Sequence, residues 1–258
     1  MSFRRSAVAL VVALALPRLA AAQPTGAASP AIGRLDGSRL TAGRWTYSQS
    51  MTMGGQSRDL GTRTLTLAPS TFRGAATWLI VDEAETEGAQ VVDSLYVVRA
   101  DLAPVRRVMH VTLPQGPVEI VNEFGKDSIT GSITAQGNKL PVAMKNRPGL
   151  VANSGQLELM LRLAPLRAGW SGRADVLLPA LMGAGTAAVD VSVTGEERVT
   201  VPAGTMDAWI AVVRGSAGEQ RLWIDKVGRR IVRLSSPLPM ASGAAVEMVL
   251  LPDSSRAR

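Results

Sequence analysis

Apolar and polar residues swap at nearly every step along short stretches of this chain, and turn signals separate the stretches. A period of two fits a pleated strand with one buried face and excludes a helix, whose period is 3.6. The pattern is clearest from Val199 to Leu234. There Met206, Ala208, Ile210 and Val212 fall on one side, and Thr205, Asp207 and Trp209 on the other. Pro202 and Gly204 fit the second and fourth positions of a type I turn. Gly228 fits the positive-φ position of a three-residue hairpin loop over residues 226–228.

Similar stretches recur at 45–51, 63–67, 78–81, 91–98, 105–112, 118–124, 128–133, 170–178, 187–193 and 246–251. The acidic piece 82–87 and the Pro-containing piece 139–151 read as loops. Residues 153–163 break the alternation. Asn153 can cap a helix, with Gln156 three residues on, and Pro165 ends it. Leu157, Met160 and Leu161 line one face of that helix, and Leu159, Leu163 and Leu166 a second. A helix apolar on two sides is buried on both. The expected fold is therefore mainly β: a large curved antiparallel sheet, an open half-barrel of about ten strands, with one or two helices across its concave face.

The first residues read as an export signal. Arg4 and Arg5 precede an apolar run from Ala7 to Leu16, and Ala20-Ala21-Ala22 offers a cleavage site before Gln23. That run is too short to span a bilayer, which takes about 20 residues. The expected organisation is a signal at 1–22, a flexible leader at 23–43, one β domain at 44–251 and a tail at 252–258. The expected location is the periplasm or the exterior.

Composition removes several chemistries. There is no cysteine, which excludes disulfides, thiolate metal sites and thiol nucleophiles. His110 is the single histidine, too few for a usual zinc site, and no Gly-x-Ser-x-Gly accompanies it. Gly183-Ala184-Gly185 lacks the Lys-Ser/Thr of a phosphate loop and reads as a turn. No metal, cofactor or catalytic residue is expected. Loss of Arg4, Arg5 and Arg18 with the signal lowers the formal +7 to about +4. Aromatics are 4% of residues and are not interleaved with the basic ones, so nucleic acid is not an expected partner. Weak contact with an anionic membrane surface fits the mild excess.

Two sets of residues remain as candidates. Asp207 and Asp225 would suit acid–base work at a suitable separation, or simple turn pairing with Arg221, Arg230 or Arg233. Trp45, Trp78, Tyr96, Met160, Trp170, Trp209 and Trp223 would either pack the core or line an apolar cleft, with Met51, Met53 and Met182 as adaptable neighbours. The cleft reading makes the protein a non-enzymatic binder of a lipid, lipoprotein or other apolar ligand. The alternatives are an envelope interaction module with a filled core and, third, a carboxylate-dependent hydrolase.

The motifs Val-Pro-Ala-Gly-Thr-Met-Asp-Ala-Trp (201–209), Leu-Trp-Ile-Asp (222–225) and Arg-Arg-Ile-Val-Arg-Leu (229–234) resemble a family of exported bacterial β-proteins that forms a domain of unknown function. The helical Leu157–Leu166 run and Asp101-Leu102-Ala103-Pro104 are also similar. That family in turn resembles the LolA/LolB lipoprotein-carrier group. The resemblance implies a half-closed barrel with helices across its mouth and a role in binding lipids, lipoproteins or another apolar ligand at the envelope. It carries over no catalytic residue.

Overall fold

The computed structural model describes residues 29–33, 35–86, 88–178, 185–215, 218–238 and 244–253. Among these, fourteen strands alternate with tight turns: β1 (Gly43–Met53), β2 (Gln56–Phe72), β3 (Ala75–Thr86), β4 (Ala89–Val98), β5 (Pro104–Leu113), β6 (Gly116–Phe124), β7 (Ser128–Ala135) and β8 (Asn138–Lys145) precede the helix α1 (Ser154–Leu163). After it come β9 (Ser171–Leu177), β10 (Thr186–Val201), β11 (Gly204–Gly215), β12 (Gly218–Asp225), β13 (Ile231–Pro237) and β14 (Ala245–Leu250). They form one open antiparallel sheet in the order β8-β7-β6-β5-β4-β3-β2-β1-β14-β13-β12-β11-β10-β9. Two meanders thus meet where β14 pairs with β1, with Tyr47 opposite Leu250.

The tight connections follow from turn chemistry. Gly54-Gly55, Arg73-Gly74 and Gln136-Gly137 each link two strands with both residues at positive φ. That is the type I′ geometry whose twist matches a hairpin. Pro202 and Ala203 make the β10–β11 turn, with Gly204 at φ +126° as the expected signal requires. The β12–β13 turn differs from expectation. Its positive-φ residue is Arg229, at φ +54°, and Gly228 is absent from the left-handed region. Gly228 serves closeness instead, because a Cβ there would lie 2.5 Å from Asp225 Oδ2.

Three other expectations are corrected. Residues 138–145 form β8, not loop: an edge strand has one row of amides without a sheet partner, so it tolerates Pro141. The acidic piece is not a loop either, since Asp82–Thr86 continue β3. The leader is partly built into the fold. Ile32 N–H donates to Arg173 O at 2.8 Å, Arg173 N–H to Pro30 O at 2.8 Å, and Leu40 is buried. Together with Val151, which exchanges 2.8 Å hydrogen bonds with Asp175 and Leu177, this segment covers the outer edge of β9. The opposite edge, β8, carries Lys139, Pro141 and Lys145, residues that discourage pairing with a second sheet. The loop expected at 179–186 falls mostly outside the described residues.

Helix α1 lies on the inner face, as its two apolar sides require. Leu159 and Leu161 are fully buried, and Ala164 and Leu166 beyond its end are buried too. Leu159 and Met160 join a core built from β1–β4 and β9–β14, and Leu161 joins a second cluster under β10–β13. Burying a leucine side chain stabilises by about 1.5–3 kcal/mol. The start of α1 departs from a simple capping box. Asn153 Oδ1 accepts from Gln156 N–H at 2.9 Å, but Gln156 Oε1 reaches back to Ala152 N–H at 2.6 Å, one residue before the cap. Its Nε2 donates to Leu102 O at 2.8 Å, which ties the helix start to the β4–β5 turn.

Candidate functional site

Cross-strand register assigns each side chain to a face. Inner-facing positions run Tyr47, Arg63, Ala84, Val91, Val111, Val118 and Ala135 in one row. A parallel row runs Trp45, Leu65, Asp82, Asp93, Met109, Ile120, Ile133 and Leu140. The inner face therefore has two zones of different chemistry.

The first zone is charged and lies against α1. Arg63 grips Asp82 with two hydrogen bonds of 2.7 and 2.6 Å, and its Nη1 donates to Glu158 on α1 at 2.6 Å. Arg107 grips Asp93 at 2.9 and 2.8 Å and donates to Ala152 O at 2.9 Å, while Asn153 Nδ2 donates to Asp93 at 3.0 Å. Forked arginine–carboxylate pairs of this kind repay part of the cost of leaving water. Burial opposes the charge on Arg63, yet Asp82 and Glu158 outweigh it and hold its proton affinity well above the ordinary value. Burial pushes the Glu158 carboxyl up, and Arg63 offsets this only in part. Asp82 and Asp93 are cross-strand neighbours, but each is committed to its own arginine. The network positions the helix against the sheet.

The second zone is the wing of β4–β8 beyond the helix. Its inner face carries Val91, Met109, Val111, Leu113, Val118, Ile120, Ile133 and Ala135, one apolar cluster with no charged member. It closes tightly at Val111, 3% exposed, and opens toward Leu140, 62% exposed. The sequence pattern announces β4 to β7 but neither β8 nor this surface. The available signal was phase: Met109 and Val111 share parity on β5, as Val118 and Ile120 do on β6.

The candidate aromatic set does not assemble into one lining. Trp78 is fully packed, with Nε1 donating to Gly37 O at 2.9 Å. Trp223 is also buried in the main core, with Nε1 donating to Glu197 at 2.8 Å, and Met160 joins the same cluster. Trp45 packs against that core under the Arg162 guanidinium, 4.2 Å from its ring. Trp170 and Trp209 pack against the second cluster, and Lys226 lies 4.2 Å over Trp209. Tyr96 faces the other way and packs on Phe72 at 5.0 Å between centroids. Of the adaptable neighbours, Met51 is half-buried, Met53 is 54% exposed, and Met182 lies outside the described residues.

Asp225 sits directly opposite Ala208, so strand alternation turns neighbouring Asp207 to the opposite face. The two carboxylates cannot act on one substrate atom. Asp225 serves its turn, accepting from Val227 N–H at 3.0 Å beside Arg230. His110 lies on the outer face with Nδ1 3.6 Å from Glu119, in a shallow depression of about 380 Å³. A second depression, about 290 Å³, lies between Arg221 and Pro237 and is lined in part by Trp223. Among the described residues no three His, Cys, Asp or Glu groups converge as a metal site would need.

The fold has counterparts. The chain is similar to a β-barrel-like DUF1849 protein from Brucella abortus, at 7% identity, covering 83% of this chain and 97% of that one with a TM-score of 0.55. Weaker likenesses are to the hypothetical lipoprotein YmcC from Escherichia coli K12 (13% identity, 80% and 86% coverage, TM-score 0.33) and a DUF1329 family protein from Desulfovibrio piger (12%, 82% and 85%, TM-score 0.25). No curated protein matches the sequence. The model of one family spans nearly the whole sheet, residues 46–249, and the chain belongs to that family, described as protein of unknown function DUF3108.

Proposed function

We propose that this protein is an exported, non-enzymatic binder of an apolar ligand, a lipid or the acyl chains of a lipoprotein, held against the inner face of the β4–β8 wing. The observation that carries this reading is the charge-free ladder Met109–Ile120–Ile133–Leu140, which begins where the helix-covered zone ends and emerges at an exposed leucine. An apolar face of this kind, backed by a rigid sheet, suits a ligand without polar demands. The export signal read from the sequence and the half-barrel plan support a role at the envelope, in the manner of the LolA/LolB carriers. The commitment of Asp82, Asp93 and Glu158 to Arg63 and Arg107 fits a structural role for these carboxylates.

The test is native mass spectrometry and lipid extraction of the purified mature chain. Bound lipid is expected in wild type and is lost in Leu140→Asp and Ile133→Asp. A chain that emerges empty and leaves the apolar dye ANS dark counts against the proposal. One observation favours the second reading, an envelope interaction module: α1 already fills the inner face under β1–β4 and β9–β14. An empty wing together with a protein partner captured by in-cell crosslinking at Leu140 would establish that reading. The carboxylate hydrolase has no comparable support once Asp207 and Asp225 lie on opposite faces.

A further inference from the structure

The sheet comes back on itself at one place, and the contact there is unlike any other between its strands. Neighbouring strands share hydrogen-bonded ladders, as β7 does with β8 from Ser128–Lys145 to Ala135–Asn138. Strands β8 and β9 are the two ends of the strand order and share none. They meet through side chains instead. Phe124, Ile129 and Met144 form one cross-strand row on the inner face of β6–β8. Leu177 of β9 and Leu150 pack onto that row, and Ile129, Leu150 and Leu177 are buried together as a small apolar plug.

The segment between β8 and α1 divides at this plug. Its start belongs to the wing: Asn146 N–H donates to Asp127 O at 3.0 Å, and Asn146 Nδ2 donates to Gly125 O at 2.5 Å. Its end belongs to the body: Val151 holds β9 through the 2.8 Å bonds to Asp175 and Leu177 and is buried in the main core. Between the two lie Pro148 and Gly149, the latter at φ +77°. Arg147 and Asp175 reach across the seam at 3.8 Å, both well exposed, and such a pair adds little in water. Val111 and Ile120 of the wing are 3% and 2% exposed, so an acyl chain reaches them only if the inner face opens. The row Ile120–Ile133–Leu140 lies four residues along the strands from the plugged row, about 13 Å, with Asn122, Gly131 and Val142 between. Parting a ladder strands backbone donors and acceptors. Parting the seam separates apolar side chains, whose attraction has no direction.

We propose that the β8–β9 seam is the gate of the apolar site. Strands β6–β8 swing away from Leu150 and Leu177, Pro148-Gly149 takes up the slack, and an acyl chain enters through the gap. Opening adds Phe124 and Ile129 to the apolar surface offered by Ile120 and Ile133, and closing returns them to the plug. This inference rests on the apolar-ligand reading and adds to it the route by which the ligand passes.

The test uses the whole mature chain, whose lack of cysteine lets a pair of introduced thiols report alone. Arg147→Cys and Asp175→Cys place those thiols on the two sides of the seam, at exposed positions. Spin labels there should give two separations by pulsed EPR. Leu177→Ala, which thins the plug, should raise the ratio of the long to the short separation about tenfold. Joined instead by a short reducible methanethiosulfonate linker, the same thiols should slow uptake of a dansyl-labelled fatty acid about tenfold or more, and dithiothreitol should restore it. Protein loaded before the linker is closed should keep its probe. A single short separation, unchanged in Leu177→Ala and in Leu150→Ala, overturns the gate. Uptake at an unchanged rate with the linker closed overturns it too. Two separations with no uptake in any form would retain the opening motion and refute the apolar-ligand reading.

Discussion

The two halves of the inner face solve opposite problems. Under α1 the sheet presents arginines and carboxylates, and the helix supplies the missing partners, Glu158 for Arg63 and the Ala152 carbonyl for Arg107. On the β4–β8 wing beyond the helix, the cluster around Met109, Val111, Val118 and Ile120 is wholly apolar and needs no helix to satisfy it. Charge buried in pairs fixes one arrangement, because any shift strands a donor. Apolar surface fixes none, since dispersion and water exclusion are non-directional. The helix zone is built to hold one position, and the wing to accept varied contents.

The comparison is open to attack at several points. The largest effect should come from Arg63→Met, which leaves Asp82 and Glu158 buried without their cation. A loss of about 3–5 kcal/mol is expected by denaturant unfolding. A loss below 1 kcal/mol would mean that the helix is held by its leucines alone. Next, Leu159→Ala should cost about 2–5 kcal/mol, while Ile133→Ala on the half-buried wing should cost less than half as much in the same assay. Equal losses would erase the distinction between the zones.

A third effect concerns pH. The Glu158 carboxyl is raised by burial, so the folded chain keeps its proton in a range where the unfolded chain has released it. Unfolding then releases a proton, and the contribution of Glu158 makes stability fall as pH rises above the ordinary glutamate range. Glu158→Gln should flatten that slope, and an unchanged slope would place the titration elsewhere. The smallest effect belongs to the sheet edge. Exchanging Lys139 and Pro141 for valine should change monomer stability by under ~0.5 kcal/mol yet promote self-association, measurable by sedimentation.

Much of the architecture was written in parity. Strands β4 to β7 appear in the sequence because apolar residues hold one phase and turn glycines punctuate them. Strand β8 was hidden by Pro141 and its lysines, which are marks of an edge and resemble a loop when read locally. The ion network was half legible. Arg63 shares phase with Leu65 and Leu67, and Arg107 with Met109 and Val111, so both arginines announce themselves as inward-facing. Their partners could not be read, because Asp82 lies 19 residues from Arg63 and Glu158 lies 95. The tryptophans misled as a set for a related reason. A side chain that alternates correctly still reveals nothing about which part of a wide sheet it will meet.

The seam between β1 and β14 sets a timetable for assembly. Tyr47 cannot meet Leu250 until almost all of the chain has been delivered. Closing a loop of that length is slow, and before it happens the two meanders each expose an unmatched border at the middle of the future sheet. Under the export proposed above, this delay keeps the chain threadable while its C-terminal strand is still behind the membrane. Removing β14 should therefore leave two unjoined half-sheets that clump on arrival, even though every residue of the apolar wing and of the buried ion network is still present.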